Sequence, residues 1–487
     1  MSFAQSGVVA LLLYLCALLA VAEVARRARR DSSPADHFLA GRDLGVFVLF
    51  LTLYATTYSG NSLLGYPGEA YRRGFSWIMA TGFMMSIIVV FHALVPRLRP
   101  IAIANGFVTP GDWVRHRFEG DPGSRGLLLG VSLLMVIALG NFLFAQLKAM
   151  GELADQVTGG IVPYELGVFG LAGVILLYET RGGMRAVAWT DVAQGVLMLV
   201  GLAALLSWVL GTGGGLEAVT RSIIEVRPSA AVVPDARECA NWVSTIVLLG
   251  LASVVYPQAI QRIYAARSGR VLARSFSLMT FMPLATTAVV TLIGLAAIPR
   301  FAELGAAEAD RVMPLLLGEW AAAGPLLAVA ALCVFIGALA AIMSTADSVL
   351  LSLGSMVAED LMGRSHRDAS TTLVGKRVAA GVMLAVAVLA LNREITLWRL
   401  IELKMELLVQ CVPAFLVAIH WKGLRARPTL VGLIAGTVVA IAGVLLGWKR
   451  IGGVHIGVLS LGLNLAIATL GSALAAGSRL ERAPASE

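Results

Sequence analysis

The sequence predicts an all-α polytopic membrane protein, and three observations carry this prediction. The chain of 487 residues is 58% hydrophobic and only 14% charged, with a mean hydropathy of +0.82. This composition exceeds what the core of a soluble protein of that length requires. About thirteen apolar stretches each approach the roughly 20 residues that cross a bilayer as a helix. Lys and Arg also concentrate in alternate connections, as membrane topology requires.

The predicted spans follow one another with short connections. We place them near residues 6–25, 45–70, 75–96, 126–157, 163–179, 188–211, 239–261, 273–298, 324–358, 374–391, 396–420, 428–448 and 455–478. The first span has no basic segment before it, and Arg26, Arg27, Arg29 and Arg30 follow it, which is the reverse of a secretory signal peptide. This order predicts an N-terminus outside and, after thirteen spans, a C-terminus inside.

The net charge of +8 has a topological explanation. Most of the 38 Lys and Arg residues fall in connections predicted to lie inside, so we expect no nucleic-acid partner. The four cysteines are scattered and predict neither a disulfide framework nor a metal site. No Walker loop is present, so ATP is not the expected energy source. No obligate protein partner is evident from the sequence.

Two predicted spans carry interruptions, and they lie five spans apart. The second span packs small and polar residues around Gly60. A helix that breaks there can turn its carbonyls toward an ion or a cavity instead of lipid. The seventh span contains Pro257, which removes a backbone donor and kinks a helix. Interrupted spans at corresponding positions of two halves indicate an inverted-repeat transporter.

The ninth span contains a polar stripe inside a long apolar run. On a helix, Ala341, Ser344, Thr345 and Ser348 share one face, with Asp347 beside them. Oxygen donors without nitrogen or sulfur suit a hard cation such as sodium. A carboxylate at membrane depth is a functional-site candidate as well. The alternative is that the hydroxyls bond to carbonyls one turn earlier in their own helix.

Short motifs recur along nearly the whole chain in a characteristic order. They occupy residues 36–42, 55–71, 181–194, 257–262, 343–348, 359–360, 410–413 and 420–422. In this order they resemble the sodium:solute symporter family, which includes carriers of proline, pantothenate, monocarboxylates, sialic acid and glucose. Some relatives, such as the proline carriers, have an aspartate where this chain has Thr57, and this departure disfavours a proline carrier.

The resemblance implies a LeuT-type fold with 5+5 inverted repeats in about 13 transmembrane helices, each near the length of a bilayer span. The implied units are 1–30 for an extra N-terminal helix with its basic flank, 45–211 and 239–421 for the two repeats, 428–478 for two C-terminal helices and 479–487 for a cytoplasmic tail. Both interrupted spans then fall at equivalent places in the two repeats.

Carried over position by position, the resemblance implies a sodium site of five oxygens. The ligands are the backbone carbonyls of Ala55, Tyr58 and Ala341 and the hydroxyls of Ser344 and Thr345. A broken helix presents carbonyls and the ninth span presents hydroxyls, so the chemistry of the residues agrees with this implication.

Asp191 opens the sixth span directly after a basic turn. From the residues alone it is a helix N-terminal acid neutralised by the dipole and by Arg185, or part of an ion site. In relatives with a second sodium ion, this aspartate pairs with positions that correspond to Asp347 and Ser348. Two carboxylates that close do not both stay ionised without a cation between them. The sequence therefore predicts either a second sodium ion or a held proton.

The resemblance places the solute near the midplane, beside the two interruptions. Asn61, Ser62 and Tyr66 follow the first break, and Tyr256 and Gln258 flank the second. We predict these five side chains as solute contacts.

The fourth span adds Gln146 and Lys148 to the predicted solute contacts. A lone ammonium at membrane depth costs about 2.5–3.5 kcal/mol, so Lys148 requires a counter-charge. That charge is either Glu152, one turn on, or a solute carboxylate, as for a basic residue on this span in relatives that carry acids.

Glu402, Lys404 and Glu406 give the eleventh span an unusual charge content. The preferred interpretation is a structural salt bridge near the outer end of the span. A gating or solute-binding role is the second interpretation.

Taken together, these features predict a sodium-coupled secondary active symporter in the cell (inner) membrane. It would import a small, carboxylate-bearing organic solute, such as a monocarboxylate or an amino acid, with Na⁺ as the coupling ion. The alternatives are a symporter of a neutral solute and a transporter-like sensor that acts through a separate partner. An enzyme with Asp191 and Asp347 as an aspartyl dyad is disfavoured by the ordered motifs and the paired interruptions.

Overall fold

Helices account for nearly all of the computed structural model, which describes residues 2–27, 34–365, 368–394 and 396–480. Part of the predicted basic flank of the first helix and nearly all of the predicted tail 479–487 lie outside the described residues. All of the predicted membrane spans fall within the described residues.

Twenty α-helices are numbered in chain order. The first nine are α1 Phe3–Arg27, α2 Pro34–Leu39, α3 Val46–Thr57, α4 Tyr66–Arg73, α5 Met79–Ala104, α6 Pro110–Arg117, α7 Ser124–Val157, α8 Tyr164–Thr212 and α9 Gly215–Val226. The others are α10 Ala236–Ser253, α11 Pro257–Ala265, α12 Gly269–Met279, α13 Val289–Ala296, α14 Val312–Ala322, α15 Pro325–Met356, α16 Ala369–Leu389, α17 Leu397–Leu408, α18 Ala418–His420, α19 Ala426–Leu445 and α20 Ile456–Leu480. Two short strands, β1 Arg450–Ile451 and β2 Val454–His455, pair antiparallel between α19 and α20.

In the part of the chain that the structure describes, nine helical stretches are long and apolar enough to cross a membrane, or ten if the bent pair α10–α11 forms one span. This confirms the polytopic all-α class. Several predicted spans consist of shorter pieces, since α3 and α17 have only 12 residues each. The count of thirteen, the orientation of the termini and the boundaries of the repeats therefore stay predictions.

The first predicted interruption lies at the end of α3. That helix ends at Thr57, Tyr58 has non-helical backbone angles (φ −99°, ψ 85°), and a π-helical turn at Asn61–Gly65 leads into α4. Gly60 is required here because α7 and α15 approach closely. A Cβ on it would lie 2.6 Å from Ile342 Cγ1 and 3.0 Å from the Ala149 Cβ. The helix thus breaks where three helices crowd together.

The second predicted interruption separates α10 from α11. The first of these helices ends at Ser253 and the second begins at Pro257, with a bend of 49° between their axes. Proline in the first turn of a helix costs no hydrogen bond, because the N–H there has no helical partner. Pro257 therefore starts a new helix and does not kink a continuous one as the sequence led us to expect.

Helix α15 forms the centre of the bundle. Every residue from Gly337 to Met356 is buried, which is the pattern of a helix enclosed by protein on all sides. It packs against α3, α7, α8, α14 and α16. Helix α8 turns at Gly183, whose φ of 60° favours glycine and whose Cβ would meet His37 Nδ1 at 2.6 Å. The polar stripe of α15 thus faces the break in α3 and the second half of α8.

The crowding at Gly60 makes a testable prediction about stability. We expect Gly60→Ala to lower the midpoint of thermal unfolding in detergent, since overpacking costs about 1–3 kcal/mol. Gly140→Ala on α7 is the matched control, because a Cβ there meets nothing within 4 Å. Removing the obstruction with Ile342→Ala in the Gly60→Ala background should restore part of the loss. Equal midpoints for the two single variants would contradict the close approach.

Candidate ion and solute sites

The broken end of α3 lies against the hydroxyl face of α15. Thr345 Oγ1 lies 3.3 Å from the Ala55 carbonyl oxygen and 3.0 Å from the Ala341 carbonyl oxygen, and all three residues are buried. The contact to Ala341 is the one-turn bond that the sequence offered as an alternative, and the contact to Ala55 joins the two helices. Two carbonyls and one hydroxyl of the predicted sodium site therefore converge. Tyr58, whose carbonyl is a further predicted ligand, is the first residue after α3.

The neighbouring hydroxyl on α15 points to α8. Ser344 donates a hydrogen bond to Oδ1 of Asp191, and Thr52 of α3 donates one to Oδ2 of the same carboxylate. All three side chains are buried. Asp191 thus connects α3, α8 and α15 at one point, adjacent to the predicted sodium oxygens.

A buried arginine of α11 completes this cluster. Arg262 is fully buried, and its Nη2 lies 3.4 Å from Asp191 Oδ2 and donates to Ser348 Oγ at 2.6 Å. Its Nε also donates to Thr52 Oγ1 at 2.9 Å. A guanidinium thus lies between Asp191 and Ser348, two of the three residues predicted to hold a second cation.

Of the two interpretations of Asp191, the one in which Arg185 neutralises it does not match the structure. Arg185 instead forms an ion pair with Asp36, at 2.7 Å from Nη2 to Oδ1. Asp347 is fully buried, and neither carboxylate oxygen has a hydrogen-bond partner among the described residues. Binding of a second ion by Asp191, Asp347 and Ser348 stays a prediction.

A cavity of about 50 Å³ lies between the two interruptions. Its lining is Thr56, Thr57, Ser59, Asn61, Ser62, Tyr66, Met84, Ile87, Phe91, Phe142, Leu249, Ser253, Tyr256, Gln258, Ala259, Ile401, Lys404 and Met405. Five of the predicted solute contacts meet there, namely Asn61, Ser62, Tyr66, Tyr256 and Gln258. The cavity directly follows Ala55, a predicted sodium ligand, along α3.

The two solute contacts predicted on α7 lie outside this lining. Gln146 Oε1 accepts a hydrogen bond from the Gly60 N–H at 3.2 Å, behind the break in α3. Lys148 Nζ donates to the Arg393 carbonyl at 2.7 Å. Six residues turn a helix by about 240°, so Lys148 points away from the face of Phe142, which does line the cavity. Its predicted counter-charge, Glu152, lies 3.7 Å from Arg393 Nε.

The acidic residues of α17 belong to an ion-pair network, as the preferred interpretation of the sequence proposed. Glu402 lies 3.1 Å from Arg399 and 2.6 Å from Arg450, while Glu406 lies 3.5 Å from Arg399. The buried His455 ring lies 3.5 Å from Glu402 and 3.4 Å from Glu406. These contacts connect α17 to the β1–β2 hairpin.

Lys404 does not take part in that network, and the salt bridge predicted for it is wrong. Residues two apart on a helix point about 200° from each other, so Lys404 faces away from Glu402 and Glu406. Its Nζ lies 3.2 Å from the centre of the Phe142 ring and 5.1 Å from that of Tyr256. The ammonium therefore lies in the cavity lining.

A cluster of aromatic side chains surrounds Tyr66, which lines the cavity. Trp398 packs against Trp77, Phe83 and Tyr66, with ring centres 4.7 Å, 5.9 Å and 6.3 Å apart, and all four rings are buried. At another part of its lining, Phe91 also borders a second cavity of about 370 Å³ between α5 and α12. A single phenylalanine side chain thus borders both spaces.

A partly buried acid, Asp310, anchors the segment beside this aromatic cluster. Asp310 Oδ2 accepts a hydrogen bond from the Leu397 N–H, the first residue of α17, at 3.1 Å. Burial raises the pKa of the Asp310 carboxyl, and this hydrogen bond and the nearby Lys148 and Arg72 oppose the shift. The contact holds α17 against the connection that precedes α14.

Two residues of these sites, Arg262 and Thr52, were not predicted as site residues from the sequence. Arg262 follows the predicted seventh span and counts there as an inside basic flank, although the four residues after it are apolar or aromatic and buried. That continuation of the apolar run is the signal that places the arginine within the bundle. Thr52 lies three residues before Ala55, and therefore on a neighbouring face of the same helix.

The buried pair makes a testable prediction about stability. We expect Arg262→Met to lower the midpoint of thermal unfolding strongly, since breaking a buried pair costs about 3–5 kcal/mol. Adding Asp191→Leu should recover part of the loss, because it removes the stranded charge. Arg267→Met is the control, since that side chain is 70% exposed and lies 3.4 Å from Asp43. A midpoint for Arg262→Met equal to that of the control would contradict the pairing.

Comparison with known proteins extends over nearly the whole chain. The model of the sodium:solute symporter family matches residues 37–436. The osmoregulated proline transporter OpuE of Bacillus subtilis strain 168 is 28% identical over 461 residues, which cover 92% of this chain and 90% of that protein. The sodium/proline symporter of Escherichia coli strain K12 is 28% identical, with 93% and 89% coverage. The sodium/pantothenate symporter of the same strain is 26% identical, with 88% of each chain covered.

Solved structures show the same fold. A Na⁺-coupled sialic acid symporter in a substrate-bound outward-open state has a TM-score of 0.78 at 18% identity, with 96% of this chain and 98% of that chain covered. The nucleobase-cation-symport-1 transporter Mhp1 has a TM-score of 0.53 at 16% identity, with 91% and 96% covered. The LeuT-type fold predicted above is confirmed. The chain therefore belongs to the sodium:solute symporter family, as a multi-pass membrane transporter with Na⁺ as its coupling ion and not an enzyme.

Proposed function

We propose that this symporter imports a small carboxylate-bearing solute together with Na⁺ by alternating access. One observation carries the proposal: the ion oxygens and the solute cavity meet at the same break in α3. Ala55 contributes its carbonyl to the contact with Thr345, and the next two residues, Thr56 and Thr57, line the cavity. An ion that orders this break also shapes the cavity, which is the physical basis of coupling.

The sodium ion in this proposal binds five oxygens. They are the carbonyls of Ala55, Tyr58 and Ala341 and the hydroxyls of Ser344 and Thr345. One charge moving down 100 mV yields about 2.3 kcal/mol, and a tenfold sodium gradient adds about 1.4 kcal/mol. A single ion thus supports a solute gradient of roughly several hundredfold.

The buried arginine limits where a second coupling ion could bind. Arg262 already matches the charge of Asp191, so a further cation near them has Asp347 as its carboxylate. We propose that any second sodium ion or proton binds at Asp347 and Ser348.

A carboxylate on the solute is supported by the similar proteins. The proline, pantothenate and sialic acid symporters are named for compounds that each bear a carboxylate. In this chain Asn61, Ser62, Tyr66, Tyr256 and Gln258 line the cavity and are the proposed polar contacts. Rearrangement of the aromatic cluster around Trp398 and of Phe91 would open the two ends in turn.

The test of function is uptake into proteoliposomes. We expect an inward Na⁺ gradient to drive accumulation of at least one radiolabelled acid from a panel of acetate, propionate, lactate and pyruvate, with proline tested beside them. A choline gradient of equal ionic strength is the control. If the Na⁺ gradient drives uptake of none of these solutes, and Na⁺ does not raise the unfolding midpoint of the protein, the sensor interpretation is favoured over the symporter.

The sodium site makes a separate prediction. We expect Ser344→Ala combined with Thr345→Ala to raise the NaCl concentration for half-maximal thermal stabilisation about tenfold or more, because two of the five ligands disappear. The measurement is the unfolding midpoint against NaCl, with choline chloride keeping the ionic strength constant.

The matched control is the double variant Thr437→Ala with Thr469→Ala. Both hydroxyls bond to carbonyls of their own helices, at 2.7 Å, in the C-terminal pair α19 and α20. It should leave the sodium dependence unchanged. An unchanged dependence in Ser344→Ala with Thr345→Ala would refute the proposed ligands.

A further inference from the structure

We propose that Lys404 binds the solute carboxylate and that the cavity selects short monocarboxylates without an ammonium group. The inference rests on the proposed function and names the solute class for the same cavity. It also replaces Lys148, the basic residue predicted from sequence, with a residue of α17.

Lys404 is a buried cation without an anionic partner in the described part of the chain. Its side chain is 2% exposed and lines the cavity, and it forms no ion pair or hydrogen bond with any described residue. Its ammonium lies over Phe142 and close to Tyr256, whose rings stack at 5.8 Å with an interplanar angle of 10°. The aromatic faces hold the ammonium in place by cation–π attraction and leave its charge unneutralised.

The acids nearest to Lys404 in sequence serve other groups. Glu402 pairs with Arg399 and Arg450, and Glu406 pairs with Arg399, on the opposite face of α17. Among the described residues, the cavity lining contains no aspartate or glutamate. A bound anion therefore supplies the missing counter-charge, since a buried charge in a membrane protein requires a partner.

The same charge balance disfavours an amino acid. A zwitterion would bring a second ammonium into a cavity whose one charged side chain is cationic. With no carboxylate in the lining, the repulsion between the two cations would remain uncompensated. Thr57 also lines the cavity and carries no charge.

Unpartnered polar atoms add to this selectivity. Gln258 is 1% exposed, and neither its Nε2 nor its Oε1 has a hydrogen-bond partner among the described residues. Its amide N–H groups are donors for the second carboxylate oxygen. Asn61 Oδ1 is likewise a buried acceptor without a partner in the described chain, and it suits a 2-hydroxyl group. Hydroxy acids of the size of lactate therefore belong to the proposed class.

The size of the cavity limits the solute. About 50 Å³ corresponds to roughly four water molecules, at about 10–15 Å³ each. Acids of two to four carbons, with about four to six non-hydrogen atoms, are nearest to this number of water-sized sites, and a sugar acid has many more atoms. The lining also includes Met84, Ile87 and Leu249, which suit a short alkyl chain.

The test compares two solutes that differ at one group. L-Lactate and L-alanine have the same carbon skeleton, with a hydroxyl in one and an ammonium in the other. We expect lactate and propionate to raise the unfolding midpoint of the full-length protein in NaCl, and alanine and propionamide to leave it unchanged. This comparison uses the wild-type chain alone, so it does not depend on the folding of any variant.

Variants of Lys404 then test whether this residue binds the solute carboxylate. We expect Lys404→Met to raise the half-saturating concentration of lactate about tenfold or more while stabilisation by NaCl alone persists, and Lys404→Arg to retain part of the binding. Lys422→Met, at an exposed lysine, is the control and should bind lactate as the wild type does.

The outcomes separate the two proposals. Absence of any stabilisation by NaCl in the wild type would overturn the sodium site and the proposed function with it. Stabilisation by NaCl together with equal or stronger binding of alanine would overturn the solute class alone. Loss of lactate binding in Lys148→Met but not in Lys404→Met would return the carboxylate to the residue predicted from sequence.

Discussion

The buried ion pair between Arg262 and Asp191 is the interaction on which the rest of the bundle depends. Neither charge is exposed, and both groups form hydrogen bonds with hydroxyls of other helices, while Arg262 Nη1 also donates to the Gln258 carbonyl of its own helix. Thr52, Ser344 and Ser348 bring α3 and α15 into the same cluster. Ions buried in a low-dielectric interior are tolerated only when they are paired, so this cluster holds α3, α8, α11 and α15 together.

The ion pair and the proposed sodium site share one side chain. Ser344 donates a hydrogen bond to Asp191, while the hydroxyl of Thr345 next to it faces the Ala55 carbonyl. A hydroxyl donates and accepts at the same time, so Ser344 can keep its bond to Asp191 and still offer an oxygen to sodium. The electrostatic centre of the fold therefore positions one proposed ligand directly. Movement of the broken helix α3 would alter both the ion oxygens and the cavity lining.

Helix α17 shows how the helical period places charges on two different faces. Glu402 and Glu406 lie one turn apart and share His455 and Arg399. Lys404 lies between them in sequence and on the opposite face, against Phe142. Glu402 and Glu406 thus contribute to an ion-pair network on one face of α17, and Lys404 gives the cavity on the other face a positive charge.

The sequence by itself determined the membrane class, both interruptions and the oxygen-rich stripe of α15, because composition and spacing along one helix decide these features. It also brought the five polar residues of the two breaks to one place through the family resemblance. Only the tertiary structure decided that Arg262 pairs with Asp191 and that Lys404, not Lys148, lines the cavity. The direction in which a charged side chain points depends on how its helix packs. A counter-charge on another helix cannot be predicted from the spacing of residues along one helix.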